Sequence, residues 1–525
     1  MNFQEHINSF NDDFYNKKAA IAVYLLFFIL SLVLRFHFAS KLTNPGHGDP
    51  AYYLSLAQNL ADGRGFVIDY VWHFLVLQDS LTHFSNDFWM PLTSIIIYPF
   101  LLIFGKSLLA ALIPSFMFGL GCSIIAYYIG MEYTKSKAIS FWSAIITLFA
   151  PGLFIYSIAT DSSIYYAVFV SASILMLMKC RHNPKYFIIA AILAGLGQLT
   201  RQDGILMMLL VVITLLFSSV SRKSKIRLML GILAVYLLII SPVFIINLLY
   251  TGKPFVSETF KISLVTCHDD IYSYGKDLSL KSYLDWGIGN ILLSKLASVQ
   301  NNVIEILKSF GRDIIPIPII VIFYVLLPRA TGFKWREFQA PMMFMALLLL
   351  FYTTAATFPA MGGALFRSTM AFVPFGVVLA VKAIPGFCKN KIITYAVLCV
   401  ITLMAIFGSV RLSFYLIDLN DQIDSELKLV ASVIEADHNS DDEIVIMTRN
   451  PWEVNYTTKH RALMIPNNDL DTIYNIAVRY KANYLILPAP REALQKIYNG
   501  EIQDSRFEFI THIKNTDYKI FRINS

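Results

Sequence analysis

Charge is what this chain has least of. Only 15% of its 525 residues are Asp, Glu, Lys or Arg, while 56% are hydrophobic; a soluble domain carries about 25% charged residues. That shortage excludes an ordinary soluble globule and predicts a polytopic membrane protein. Cysteine is scarce too. The five present, an odd number, stand far apart and mostly in or beside apolar runs, which excludes a disulfide framework and a zinc pattern. A cleavable leader is not expected: Lys17 and Lys18 precede the first apolar run, but that run is too long for a signal core and lacks a small-residue cleavage site. Solenoid repeats and low-complexity segments are absent. The net charge of +7 is spread over short loops rather than gathered in one basic patch, so nucleic acid is not an expected partner.

What is present is a series of apolar runs. The first, Ala19 to Ala39, is long enough to cross a bilayer, which takes about 20 residues. Others cover roughly 107–131, 138–158, 162–180, 185–200, 203–219, 226–249, 313–328, 337–358, 368–385 and 391–411. Basic residues mark every second connection: Lys135 and Lys137, Arg181 and Lys185, Arg222 to Arg227, Arg329 to Arg336, Lys389 and Lys391. With those loops cytoplasmic, the N-terminus is inside and eleven spans leave the C-terminus outside a plasma (inner) membrane. Segments 40–106, 159–161, 250–312 and 412–525 then lie outside. The short stretch Pro91–Phe104, interrupted by Pro99, reads as an interfacial or re-entrant helix or an extension of the next span.

From about 412 the composition turns to that of a small soluble domain. Glu443–Met447, Ala462–Ile465 and Tyr484–Leu487 read as buried strands, and Leu470, Ile473, Ile476, Ala477 and Tyr480 recur at helical spacing. Phe507–Ile510 and Tyr518–Phe521 predict a final hairpin. The result is an α/β layer of about 110 residues. Thr448-Arg449-Asn450-Pro451 stands where a dinucleotide site would need a Gly-rich turn.

The outside segments hold the candidate chemistry. Asp49 follows the first span and opens a helical pattern carried by Tyr53, Leu56, Ala57 and Leu60. Asp followed by Pro50 is also a favoured helix start, so capping is its plainer role. Asp161 opens an apolar span at the same face, with the same two readings. Asp87 precedes the short helix beside Trp89. Arg201 lies between close-set spans, where a charge needs a cavity or a partner; a pair with Asp203 is the plainer reading. Arg367 sits at the outer end of a late span, where snorkelling alone would place it. Tyr53 and His268 are further candidates for substrate contact. His47 with Asp49 is a candidate contact for a divalent cation, although three scattered histidines (His47, His83, His268) lack ligand spacing. Arg449, Trp452, Tyr456 and Arg461 are candidates to hold a sugar or an acceptor.

Three carboxylates and two arginines on one side of a membrane suit transfer from a lipid phosphate. Guanidinium matches phosphate oxygens in bidentate fashion, and a carboxylate removes the acceptor's proton.

Several segments, in order, resemble the GT-C superfamily of polyprenyl-phosphate-sugar-dependent glycosyltransferases, and within it the family 39 type of protein O-mannosyltransferases and lipid A aminoarabinose transferases. They are Gly48-Asp49-Pro50-Ala51-Tyr52-Tyr53 with Asp62-Gly63-Arg64-Gly65-Phe66, Asp87 with Met90-Pro91-Leu92, Asp161, Leu199-Thr200-Arg201-Gln202-Asp203-Gly204, and Ser241-Pro242 through Pro254-Phe255. Val243 and Ile246 replace the Trp and Arg often found near that last motif, and Trp89-Met90-Pro91 replaces a Lys-Pro-Pro form. The resemblance implies a polytopic α-helical membrane protein of GT-C fold, with a transmembrane domain over 1–411 and a C-terminal extracytoplasmic α/β domain over 412–525. It implies transfer of a sugar from a polyprenyl phosphate to an envelope acceptor: glycan, lipid or protein. Asp49 is then the general base, Asp87 and Asp161 position it, the acceptor or a cation, Arg201 and Arg367 hold the lipid phosphate, and loop 250–312, with Tyr272, Tyr274 and Trp286, closes over the site. The rival expectations are a flippase of lipid-linked sugars and a non-enzymatic envelope assembly protein.

Overall fold

The computed structural model describes residues 17–256, 258–311, 316–331, 333–355, 363–388, 390–438 and 442–524. Each expected apolar run falls on a helix or a broken helix; positions 313–315 and 356–358 of two runs lie outside the described residues. Helix length separates the runs. Lys18–Ala39, Leu108–Thr134, Ser162–Lys179, Arg222–Thr251, Ala364–Phe387 and Lys391–Asp437 are long and apolar enough to cross a bilayer. Lys137–Leu148 and Pro151–Ser157, bent 53° apart, add a seventh crossing if they form one broken span. The other apolar helices, Leu92–Phe104, Tyr186–Thr200, Gln202–Leu216, Ile317–Leu326 and Gln339–Thr354, are shorter. At 1.5 Å per residue a 15-residue helix reaches about 22 Å, less than the roughly 30 Å hydrocarbon core. The chain is a multi-pass membrane protein whose described helices give six or seven crossings by length, where the sequence predicts eleven.

The break before Pro151 has a specific partner. A backbone carbonyl freed by a helix break inside a membrane must be satisfied within the protein. Arg35 of the first helix, fully buried, donates from Nη2 to the Leu148 carbonyl at 3.0 Å and from Nε to Ser157 Oγ at 2.7 Å. Its guanidinium lies 4.4 Å from the Phe154 ring centroid.

Segment 250–312 is not simply a loop. It contains Ile288–Gly311, 24 residues long, and this helix is inside out for a soluble protein. Leu292, Leu293, Leu296, Val303 and Ile304 are exposed, whereas Ser298, Asn302 and Glu305 are buried. Asn302 Nδ2 donates to Thr353 Oγ1 at 3.3 Å, and Lys295 Nζ to the Thr354 carbonyl at 2.7 Å. Polar groups face the protein and apolar ones face away, the pattern of a helix presented to lipid.

Above the bundle sits a six-stranded sheet. Strands β1 (Val67–Ile68) and β3 (His83–Phe84) form a small ribbon in the first long loop. That loop also supplies β2 (Tyr70–Val71) to the main sheet, next to β4 (Val445–Thr448), β5 (Arg461–Met464), β6 (Tyr484–Leu487), β7 (Phe507–His512) and β8 (Lys519–Ile523). The order is β2-β5-β4-β6-β8-β7. β2, β5, β4 and β6 run parallel, and β8 and β7 close the layer antiparallel. The expected strands, the Leu470–Arg479 helix and the final hairpin therefore occur within a residue or two of their predicted places. Two features were not foreseen. β2 comes from the first loop, and Lys391–Asp437 is one helix of 47 residues that runs through position 411. Tyr52, Tyr53 and Leu56 of that loop share a buried apolar cluster with Met447, Leu463 and Leu485 of the sheet.

Candidate active site

Gly48, at φ +70°, turns the chain into the helix Asp49–Ala61, and Pro50 stands in its first turn. Asp49 is thus the first helical residue, with no capping bond from the residue before it, and its side chain is used elsewhere. Its Oδ2 pairs with Nη1 of Arg367, carried by the helix Ala364–Thr369. The same Nη1 lies 3.8 Å from Asp161 Oδ2. Asp161 does cap its helix: Oδ1 accepts the Ser163 backbone N–H at 2.7 Å. Burial pushes the Asp161 carboxyl above the usual carboxylate range, against the opposing hydrogen bonds of Ser163 and the charge of Arg201.

This trio has unused valences. Arg367 Nε and Asp161 Oδ2 are buried with no hydrogen-bond partner. Buried polar atoms are nearly always paired, so such a coincidence marks a place where a ligand atom fits. The Asp49 and Arg367 side chains remain 16% and 22% exposed, which leaves an approach from outside.

Arg201 is engaged within the protein. Its Nε lies 3.3 Å from Asp203 Oδ1, its Nη2 donates to the Ala364 carbonyl at 3.1 Å, and its guanidinium lies 5.6 Å from the Tyr166 ring centroid. Asp203 Oδ2 in turn accepts from Tyr352 Oη at 2.8 Å and from Ser368 Oγ. Burial works against the Arg201 charge, but Asp203 and the surrounding phenols outweigh it and hold the guanidinium more firmly protonated than usual. The expected pair with Asp203 is therefore present, and Arg201 grips the start of the helix that carries Arg367. Tyr53 stands between the two groups, its hydroxyl 3.5 Å from the Thr200 carbonyl.

Asp87 belongs to a different cluster. Its Oδ2 lies 3.3 Å from His73 Nε2, 3.8 Å from His83 Nδ1 and 3.0 Å from Gln78 Nε2, beside Trp72 and Trp89 stacked at 4.3 Å. Burial raises this carboxyl, but the two histidines prevail and hold it below the usual range. Among the described hydrogen bonds and ion pairs, none joins Asp87 to Asp49, Asp161 or either arginine.

The histidines also separate. His47 Nδ1 meets Glu453 Oε1 at 2.6 Å, and His83 Nε2 meets the Tyr70 carbonyl at 3.1 Å. His268 lines a cavity of about 310 Å³ between the loops and the sheet, with His47, Tyr272, Arg449, Trp452 and Arg491. Among the described residues no three His, Cys, Asp or Glu side chains are grouped to hold a metal ion. A larger cavity, about 720 Å³, touches Leu177, Arg181 and Glu337. It lies at the far end of the Ser162–Lys179 helix from Asp161, and 18 residues of helix put about 27 Å between the two ends.

Glu453, His73 and Arg491 have roles that the sequence did not single out. Pro451-Trp452-Glu453 and Pro488-Ala489-Pro490-Arg491 each follow a parallel strand, and that placement was the available signal.

Residues 90–246 match the family described as dolichyl-phosphate-mannose-protein mannosyltransferase, a segment that includes Asp161 and Arg201. Two solved structures share the fold. One is ArnT from Cupriavidus metallidurans, bound to undecaprenyl phosphate: TM-score 0.60, 13% identity, covering 95% of this chain and 97% of that one. The other is the archaeal oligosaccharyltransferase AglB from Archaeoglobus fulgidus, in complex with an inhibitory peptide and a dolichol-phosphate: TM-score 0.53, 12% identity, covering 90% of this chain and 70% of that one. No curated protein sequence matches the chain.

Proposed function

We propose that the chain is a membrane glycosyltransferase of the GT-C type, a reading supported by the family match over 90–246 and the shared fold, and that it moves a sugar from a polyprenyl phosphate to a cell-envelope acceptor, with Asp49 as general base. The carrying observation is the single Arg367 guanidinium shared by Asp49 and Asp161, with open valences on Arg367 and Asp161. In the resting protein Arg367 and Asp49 form an ion pair. The donor phosphodiester, a monoanion, competes for Arg367 because its oxygens accept the same bidentate donors. Asp49 is then released to take the acceptor hydroxyl proton. The acceptor oxygen attacks the anomeric carbon, the bond from that carbon to the phosphate oxygen breaks, and polyprenyl phosphate leaves as the anion. The charge building on the sugar ring is oxocarbenium-like and is stabilised by Asp49 and Asp161 nearby. A phosphate leaves without a protein acid.

Arg201 contributes by fixing the Arg367 helix, directly at the Ala364 carbonyl and through Asp203 at Ser368, rather than by meeting the phosphate itself. Asp87 supports the loop on which the first motif is mounted. In the membrane orientation that fits this chemistry, the N-terminus is cytoplasmic, eleven spans cross a plasma membrane, and the α/β layer faces the envelope. The short helices are then accommodated by a bilayer that thins locally around them.

Equilibrium binding of undecaprenyl phosphate to the detergent-purified protein tests the phosphate role of Arg367. Arg367→Gln is expected to weaken binding by roughly 10- to 100-fold, the worth of a charge-assisted contact of about 1.5–3 kcal/mol. Unchanged affinity would remove Arg367 from the phosphate site.

A further inference from the structure

The α/β layer has its own cavity, and the topology explains why it lies where it does. From β4 the chain returns on one side to β5, and from β5 it crosses to β6 on the other side of β4. β4 and β6 are therefore neighbours whose following connections diverge. In open α/β sheets the crevice outside the carboxyl ends of two such strands is where ligands bind. Here that crevice is the cavity of about 310 Å³. Arg449, Asn450 and Trp452 come from the end of β4, Pro488, Ala489 and Arg491 from the end of β6, and Met464 from β5; His47, His268 and Tyr272 close it from the loops.

Its lining is rich in donors. Arg491 is buried and anchored through Nε to the Ile465 carbonyl at 2.8 Å, leaving Nη1 3.8 Å from Asp269, the one carboxylate on the lining. Burial weakens the Arg491 charge; Asp269 supports it and the nearby Arg449 opposes it. Two guanidinium groups that oppose each other thus line the cavity against one half-exposed carboxylate. Trp452, 4% exposed, also lines the cavity, and its indole N–H has no hydrogen-bond partner among the described residues. Trp452 and Tyr272 add aromatic rings to the lining, the Arg491 guanidinium lying 5.2 Å from the Tyr272 centroid and the His47 ring 5.3 Å from Trp452, so that donors and rings stand side by side as a sugar requires.

We propose that this cavity binds an acidic sugar unit, bearing a phosphate or a carboxylate, and that the acceptor is an anionic glycan. The inference rests on the transferase reading above and names the substrate of its second half. Size favours one sugar unit, since small-ligand pockets begin at about 300 Å³. An extended peptide would need a free sheet edge to pair with, whereas this cavity opens at strand ends. Position favours an acceptor over the donor. His47 lines the cavity, stands two residues before Asp49 and feels the Arg367 charge, so a hydroxyl on the sugar next to the bound acidic unit is presented to Asp49.

Calorimetry on the full-length purified protein tests this with three probes: glucose 6-phosphate, glucuronate and neutral glucose. Wild type is expected to bind at least one acidic sugar tenfold or more tightly than glucose, and which one it prefers identifies the acid. Arg449→Gln, at a half-buried site, is expected to abolish the preference with an unchanged melting temperature; Arg491→Lys provides a second variant that keeps the charge and loses the fork. Asp49→Asn is expected to retain the preference while losing transfer. Equal binding of acidic and neutral sugars by wild type, or a preference that survives in Arg449→Gln, overturns the inference. So does competition against the envelope acceptor by neutral peptide or phospholipid vesicles but by neither acidic sugar. Loss of transfer in Asp49→Asn without any acidic preference sinks this inference alone. Normal transfer in Asp49→Asn with the preference intact sinks the general-base reading alone.

Discussion

Single side chains in the first long loop divide into two kinds. Asp49 is paired, among the described residues, with Arg367 and keeps some solvent contact. Asp87 is held by His73, His83 and Gln78 and is sealed from solvent. The first arrangement suits a group that must change partners, the second a group that must stay. Asp87 also has a pH signature. Because the fold holds its carboxyl below the usual value of 3.8, its ionised form stabilises the protein above about pH 4, and that contribution fades as pH falls through the folded-state value. Asp87→Asn is expected to be less stable than wild type by about 1–3 kcal/mol at pH 6, with the gap closing only at acid pH, below 3.8 and through the lower folded-state value. Thermal melts in detergent across that range check this, and a gap independent of pH would contradict it. The sequence made Asp49, Asp161 and Arg367 visible as charges at the ends of apolar runs. It did not reveal that they share one contact and Asp87 does not, because that depends on where the helix Ala364–Thr369 lands against the first loop. His73 and Glu453 were hidden for the same reason: their partners lie 14 and 406 positions away.

At the scale of elements, periodicity carried well where one face is buried and the other wet. The helix Leu470–Arg479 was legible because its apolar residues recur on one buried face, whereas the strands Val445–Thr448 and Tyr484–Leu487, buried at every position, were legible as short continuous apolar runs. It carried badly for Ile288–Gly311, whose apolar face points outward. In water that pattern would be a liability; against lipid it is the stable one. A nitroxide at Leu296 is accordingly expected to be more accessible to oxygen than to a polar nickel chelate in reconstituted membranes, and the reverse order would place this helix in water. Length was the other weak point. The sequence shows that a run is apolar, but a helix such as Tyr186–Thr200 ends where Arg201 and Asp203 demand polar partners, and this shortens it below a full crossing.

Across the whole molecule, the first loop, the last long helix and the sheet form one unit rather than a catalytic domain with an appendage. β2 pairs with β5, Asn420 of the last helix reaches the Asn44 carbonyl at 3.3 Å, and His47 binds Glu453 two residues before the proposed base. The expected boundary at 411 was drawn from composition, which changes there, while the helix does not. On the proposed reading, this coupling would let the α/β layer set an acceptor against Asp49. It also means that removing residues beyond 411 would strip β2 and His47 of their partners.

The central claim is that Asp49 acts on the proton of the acceptor and not on the binding of the donor. Transfer from radiolabelled polyprenyl-phosphate sugars to an envelope fraction, measured for purified wild type and Asp49→Asn alongside undecaprenyl phosphate affinity, separates the two. Losing a general base is expected to lower turnover by about 10²- to 10⁴-fold, with phosphate affinity undiminished because Arg367 has lost its internal competitor. Equal turnover by the two proteins would contradict the assignment of Asp49 as the base.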